Sequence, residues 1–356
     1  MKVVQVASSL YEWGGIERYV SFVSQGLRER GHEVMIARAS SSRLAEREAG
    51  TDIALRQKLD LRAFAQYLRL FSSFRPDVVH VHFSPDFIVA GLAAKARKVP
   101  LRVMTRHVAL PWSARKVRMY LSLWPSVIPV SNAAQTVLKE SGVPEHQMIV
   151  AKAGLPKPGF TKSRAAVREE LGMPQSSFLA GSFSRLTKEK GIDVLLRAMP
   201  RAQGIEALVY GDGAYGEELA KLNSLMRVAN QVHFIGRVDD VPNHMAAMDV
   251  VVIPSTWVEA FPYAALEALA VGTPVIGAEV GGIPEIITEG ETGFLFQKSN
   301  PEDLLRALLD AKSSGERLSA MSNRAREVFE SEFTVQHMAE RIERAYLTFS
   351  ERRGSA

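Results

Sequence analysis

Short apolar runs rich in β-branched residues alternate with helix-patterned stretches along this chain, and the series runs through twice. Residues 2–6, 33–38, 77–81, 101–105 and 127–130 have the length and composition of strands, with helical patterns over 16–30, 61–74, 86–95 and 132–140 between them. A second set of strands is expected over 178–183, 206–210, 232–235, 249–253 and 274–276, with helices over 191–199, 217–226, 262–269 and 301–311. Strands that alternate with helices in this way specify parallel sheets covered on both faces, the doubly wound α/β class. Residues 151–163 hold Gly154, Pro156, Pro158 and Gly159 and read as the linker. The expected domains are therefore 1–157 and 158–332. The charged tail from Glu316 to about Arg352 reads as helical, and residues 333–356 are expected to pack back on the first domain.

A length of 356 residues suits two such domains, and 46% apolar with 23% charged residues is ordinary for a soluble enzyme. There is no cysteine, so disulfides and thiolate metal sites are excluded. The N-terminus runs straight into a strand pattern without the apolar core of a signal peptide, and no run of about 18 apolar residues occurs. These features suit a cytoplasmic protein. The charge is uneven, at +11 up to residue 160 and −6 beyond it. Residues 87–139 contain no Asp or Glu but carry Arg106, Arg115, Lys116, Arg118 and five other basic residues. Such a face is either merely solvated or meets an anionic lipid surface or a phosphorylated acceptor. No nucleic-acid-binding module is visible, so nucleic acid is not expected as a partner.

Two charged pairs carry the chemistry. Arg185 and Lys190 follow the expected strand 178–183, and Glu259 and Glu267 follow 249–253. In doubly wound sheets ligands bind at the carboxyl ends of strands. Two cations there suit a diphosphate, and two carboxylates suit sugar hydroxyls. The competing reading is a solvated surface pair, with Glu189 or Glu217 as partners of the cations. Gly211-Asp-Gly213-Ala-Tyr-Gly216 matches a dinucleotide fingerprint literally, but it does not lie on the first strand of its domain. A turn near the ligand is the better reading.

Phe183-Ser-Arg185…Lys190-Gly191, Tyr210-Gly-Asp-Gly213, Phe234-Ile-Gly-Arg-Val238, residues 249–255, Glu259…Glu267 and Gly281-Gly-Ile-Pro-Glu285 occur in that order. Together they resemble the motifs of the retaining GT-B glycosyltransferases of family 4, the glycosyl transferases group 1. The resemblance implies two Rossmann-like domains facing across a cleft and no metal or cofactor, the substrate being a UDP- or GDP-sugar. It implies Arg185 and Lys190 on the donor diphosphate, Glu259 and neighbouring Phe261 at the donor sugar, and Glu267 at the ribose. The family often has Glu-Gly-Phe-Gly where this chain has Glu259-Ala260-Phe261-Pro262, which weakens any inference about the sugar.

In the first domain, Trp13-Gly14-Gly15-Ile16-Glu17 joins the first strand to the first helix, and the family places such a loop, here Gly15, at the donor phosphate. The resemblance also places His107, just beyond the expected strand 101–105, near the donor sugar. Arg106 beside it could meet an anionic acceptor. His80 and His82 share one face of a strand, too few for a metal site, and one could line an acceptor pocket. The expected function is transfer of a sugar to an anionic glycolipid or oligosaccharide acceptor, such as a lipopolysaccharide core or lipid-linked oligosaccharide. The stretch 112–123 with Arg115, Lys116 and Arg118 reads either as an ordinary amphipathic helix over a core or as a helix lying on an anionic membrane, which would place the protein peripherally on its inner face. A nucleotide-sugar 2-epimerase of the same fold and a non-catalytic sugar-binding relative are the alternatives.

Overall fold

A computed structural model describes residues 1–9, 14–53, 55 and 59–354. The chain divides into two compact units, Met1–Pro156 with Phe333–Ala356, and Lys157–Glu332. Each contains a six-stranded parallel sheet. In the first, β1 (Lys2–Ala7), β2 (Glu33–Arg38), β3 (Thr51–Asp52), β4 (Val78–Val81), β5 (Leu101–Arg106) and β6 (Ser126–Pro129) lie in the order 3-2-1-4-5-6. In the second, β7 (Phe178–Phe183), β8 (Ile205–Tyr210), β9 (Val232–Gly236), β10 (Val250–Ile253), β11 (Val275–Ala278) and β12 (Gly293–Phe296) lie in the order 12-11-10-7-8-9. Numbered from its own first strand, the second sheet has the same winding as the first. In each, the order reverses direction beside the first strand, which defines a switch point between β1 and β4 and another between β7 and β10.

The central strands β4 and β10 are buried at every position, as a sheet covered on both faces requires. Helix boundaries follow local chemistry. Asp60 accepts from the Arg62 and Ala63 N–H groups to open Leu61–Phe74, and Asn300 does the same for Pro301–Ser313. Two edge strands, β3 and β12, and two seven-residue helices, Arg164–Glu170 and Val241–Ala247, go beyond the sequence reading. Among the described residues no helix is long and apolar enough to cross a membrane.

The helical tail is two helices, Glu316–Glu332 and Val335–Gly354, not one. The break has a physical cause. The Phe333 carbonyl accepts from Leu155 N–H at 3.0 Å, which takes it out of a helix ladder. Gly154 permits this approach, since a Cβ there would stand 2.3 Å from the Thr334 oxygen. The terminal helix then buries Met338, Ala339, Ile342, Ala345, Tyr346 and Phe349 along one stripe. Ala339 and Val335 rest on Gly26 of the helix Gly15–Glu29, close enough that a Cβ at Gly26 would meet both inside 3 Å.

Candidate functional site

The loops that leave β7 and β10 carry the charged residues of the second unit, and the two strands are neighbours at its switch point. Their carboxyl ends therefore open side by side. Lys190 closes a short 3-10 turn, Lys188–Lys190, and Gly191 follows at φ +66°. A Cβ at Gly191 would sit 1.9 Å from the Pro254 oxygen, so only glycine allows the two loops to touch. Thr256 N–H donates to the Glu189 oxygen at 2.9 Å and completes the contact. This brings the Lys190 Nζ to 2.5 Å from the Glu259 carboxylate, although 69 residues separate them. Ser255 donates to the same carboxylate oxygen at 2.9 Å. Both charged side chains are mostly sheltered, at 25% and 18% exposure.

The glycines left without a role by the sequence explain how Glu259 is held. Gly282 N–H donates to the Glu259 carbonyl at 2.8 Å. Gly281 stands at φ +58°, where a Cβ would come within 2.0 Å of that same carbonyl oxygen. The loop after β11 is thus the floor under Glu259. Gly211 and Gly213 do the same for Arg185. They take positive φ and bring their backbone against the Ser184 and Leu186 carbonyls. Ser184 N–H donates to Tyr210, and Leu186 N–H to Asp212 at 2.7 Å. Arg185 is therefore fixed at its backbone on both sides while its side chain is exposed and takes no ion-pair partner among the described residues. The glycine pattern at 211–216 serves backbone packing, not a dinucleotide fingerprint.

Gly191→Ala should lower the thermal midpoint by about 4 °C or more. A left-handed alanine costs about 1–2 kcal/mol before any clash with Pro254 is counted. Gly159→Ala, where a Cβ would meet nothing within 4 Å, is the control and should leave the midpoint unchanged.

Glu267 is half-buried in the helix Tyr263–Val271, one turn and more past Pro262, which immediately precedes the helix. Phe261 is buried at 8% exposure. Glu285 ends a 3-10 turn on the loop after β11. A concavity of about 590 Å³ lies elsewhere in this unit, lined by residues that include Phe160, Lys162, Arg164, Lys312 and Arg326, and contains none of these groups.

In the first unit Gly15 opens the helix Gly15–Glu29 and is exposed, while the preceding Gly14 N–H is already taken by the Glu17 carboxylate at 3.1 Å. Trp13 of the same motif lies outside the described residues. His107 leaves the carboxyl end of β5, with its ring edge-on to Tyr19 at 4.6 Å and its Nε2 3.4 Å from His82 Nδ1. Desolvation, helped by the Arg106 charge, pushes His107 down to about 3, so its ring is neutral.

Two expectations for this unit are corrected. His80 cannot line a pocket, because it is buried and its two nitrogens are bonded to Tyr346 and Thr105. His82 is likewise buried, bonded to Gln5 and facing His107. Arg106 is half-buried, and its Nε has no hydrogen-bond partner among the described residues. It donates to the Leu110 carbonyl at 3.0 Å and lies over the Trp112 ring at 5.1 Å, and burial lowers it to about 10. The helix Ala114–Leu123 turns Val117 and Leu123 inward, with Trp112 just before it also buried. Arg115, Lys116 and Arg118 are exposed on it without ion pairs among the described residues. Ser131 caps Asn132–Glu140 through the Ala134 N–H.

Comparison with known proteins bears on this geometry. Residues 163–328 match the family described as Glycosyl transferases group 1, and residues 13–155 match Glycosyltransferase Family 4. The sulfoquinovosyl transferase SQD2 of Arabidopsis thaliana is 28% identical over 354 residues, covering 88% of this chain and 67% of its own length. A D-inositol 3-phosphate glycosyltransferase of Streptomyces scabiei is 34% identical over 279 residues, covering 68% of this chain and 62% of that protein. These matches span about two thirds of the relatives' length. The crystal structure of Anabaena Alr3699/HepE in complex with UDP superposes with a TM-score of 0.86 at 21% identity, over 97% of this chain and 99% of that one. That likeness establishes the GT-B fold.

Proposed function

The chain belongs to glycosyltransferase family 4, and from that premise we propose that it moves a sugar from a UDP- or GDP-sugar to a hydroxyl of an anionic glycolipid or envelope polysaccharide precursor. The acceptor class includes a lipopolysaccharide core or a lipid-linked oligosaccharide. The reaction proceeds with retention and without a metal. The observation that carries the reading is the Lys190–Glu259 pair at the carboxyl edge of β7 and β10, with Arg185 exposed on the same β7 loop.

The breaking glycosidic bond leaves negative charge on the nucleotide diphosphate. Cations fixed before the reaction meet that charge without reorganising, so they stabilise the transition state more than the ground state. A guanidinium such as Arg185 can grip phosphate oxygens in bidentate fashion. Glu259 aims the Lys190 ammonium and has lone pairs left for sugar hydroxyls. The departing phosphate takes the acceptor proton on the same face that the acceptor attacks. Glu267 takes the ribose and Phe261 borders the sugar. A UDP complex of the Anabaena protein supports a nucleotide donor, and a relative named for D-inositol 3-phosphate supports an anionic acceptor.

Incubation with a panel of UDP- and GDP-sugars, followed by mass spectrometry, tests the proposal. Release of free UDP or GDP with a glycosylated acceptor is expected. An epimerised donor without nucleotide release would replace the transferase by the isomerase.

The acceptor side has its own test. Arg115, Lys116 and Arg118 present three charges without ion-pair partners among the described residues, each worth about 1 kcal/mol beside an anionic bilayer. The protein should float with vesicles containing anionic lipid at low salt, and replacing the three by serine should reduce binding by about 10²-fold. Absence of flotation by the unaltered protein would end the membrane reading.

A further inference from the structure

We propose that a buried chain of hydrogen bonds, running from the terminal helix through both strand histidines, fixes the tautomer of His107, with Tyr346 and Gln5 as its positioning residues. The links are continuous and span 2.5–3.4 Å. His107 Nε2 faces His82 Nδ1 at 3.4 Å, and His82 Nε2 faces the Gln5 side-chain oxygen at 2.6 Å. Gln5 Nε2 donates to the Tyr346 hydroxyl at 3.4 Å. That hydroxyl lies 2.7 Å from His80 Nδ1, and His80 Nε2 lies 2.5 Å from the Thr105 hydroxyl. Gln5, His80 and Thr105 are fully buried and His82 nearly so, which leaves water no part in the chain.

The direction of each bond follows from one group. The Gln5 oxygen only accepts, so His82 must carry its proton on Nε2. Burial keeps His82 and His80 neutral, with one ring proton each. His82 Nδ1 is then a lone pair, and His107 must present Nε2–H to it. On the far side Gln5 has donated to Tyr346, so the Tyr346 O–H turns to His80 Nδ1 and His80 Nε2–H turns to Thr105. Each of the four inner members, His82, Gln5, Tyr346 and His80, donates once and accepts once along this path. Turning the Gln5 amide over would reverse every bond and put the His107 proton on Nδ1. As placed, the chain leaves His107 Nδ1 as a lone pair, the ring's bond among the described residues being at Nε2. His107 therefore meets a substrate hydroxyl as an acceptor and not as a donor. Only that last step rests on the transferase reading.

Two-bond ¹⁵N–¹H correlation spectra of the full chain labelled at histidine read the tautomer directly, with His107→Gln to assign the signal. At pH 7.5, His80, His82 and His107 should all appear as Nε2–H. Tyr346→Phe and Gln5→Met should convert His107 to a mixture of tautomers, and Tyr346→Phe should lower kcat/KM on the donor about tenfold. His107 found as Nδ1–H in the unaltered protein, or unmoved in both variants, would overturn the proposal. A protein that turns over no nucleotide sugar but shows these tautomers and their loss would support the chain and overturn only the transferase reading.

Discussion

Arg185→Ala and Lys190→Ala are each expected to lower turnover by about 10²-fold or more, the loss that follows removal of one fixed donor to a developing anion. The two variants should differ in every other respect. Arg185 has no ion-pair partner among the described residues, so its removal should leave the thermal midpoint alone. Lys190 neutralises Glu259 at 2.5 Å, and its removal leaves a sheltered carboxylate with Ser255 alone. Such truncation of one partner costs more than the pair itself contributes. Lys190→Ala should therefore also lower the midpoint, and the Lys190→Ala/Glu259→Gln double variant should recover the midpoint without recovering turnover. In Arg185→Ala the loss should fall on kcat rather than on KM, because the charge it meets grows as the bond breaks. Free nucleotide measured against time gives both constants. Near-normal turnover in both single variants would reject the assignment.

The strands of both sheets were legible because runs such as 78–81 and 250–253 are apolar at every position, the pattern of a strand buried on both faces. What failed was either short or held by distant partners. Thr51–Asp52 is two residues long, and Gly293 in β12 is chosen for backbone approach, since its Cβ would stand 1.9 Å from the Val275 oxygen. The split of the C-terminal helix depends on Leu155, far away in sequence. The charged pairs were legible as residue types behind strands. Their true pairing was not, because Lys190 meets Glu259 only through the adjacency of β7 and β10. Alternation put His80 and His82 on one face correctly, but no local signal told that Tyr346 would cover it. The glycines at 191, 211, 213 and 281 carried the missing information, since each marks a loop that must touch another backbone.

The first unit should lose stability steeply below pH 6.5. His80 and His82 are held well below 6.5 by burial, and His107 to about 3. An unfolded chain protonates all three near 6.5 while the folded chain protonates none, so the unfolded state gains protons as the pH falls. The stabilisation from neutral histidines is thus complete above 6.5 and is lost as the pH drops towards the folded values. Asp86 acts in the opposite sense. Desolvation raises its carboxyl to about 6 in spite of hydrogen bonds from Ser8 and Ser9, so between 6 and 3.8 the folded state binds a proton that the unfolded state does not. It cancels one histidine of the three. The net uptake of roughly two protons by the unfolded state makes stability fall by a few kcal/mol between pH 6.5 and 5. Urea unfolding at pH 7.5, 6.5, 5.8 and 5.0 should show a nearly level midpoint over the first interval and a sharp fall over the others. His80→Gln/His82→Gln, if it retains the cooperative transition, should flatten the fall, because two of the three proton acceptors are gone from the unfolded chain. A midpoint that holds steady from 7.5 to 5.0 would show that these histidines are charged, or reached by water, in the folded protein.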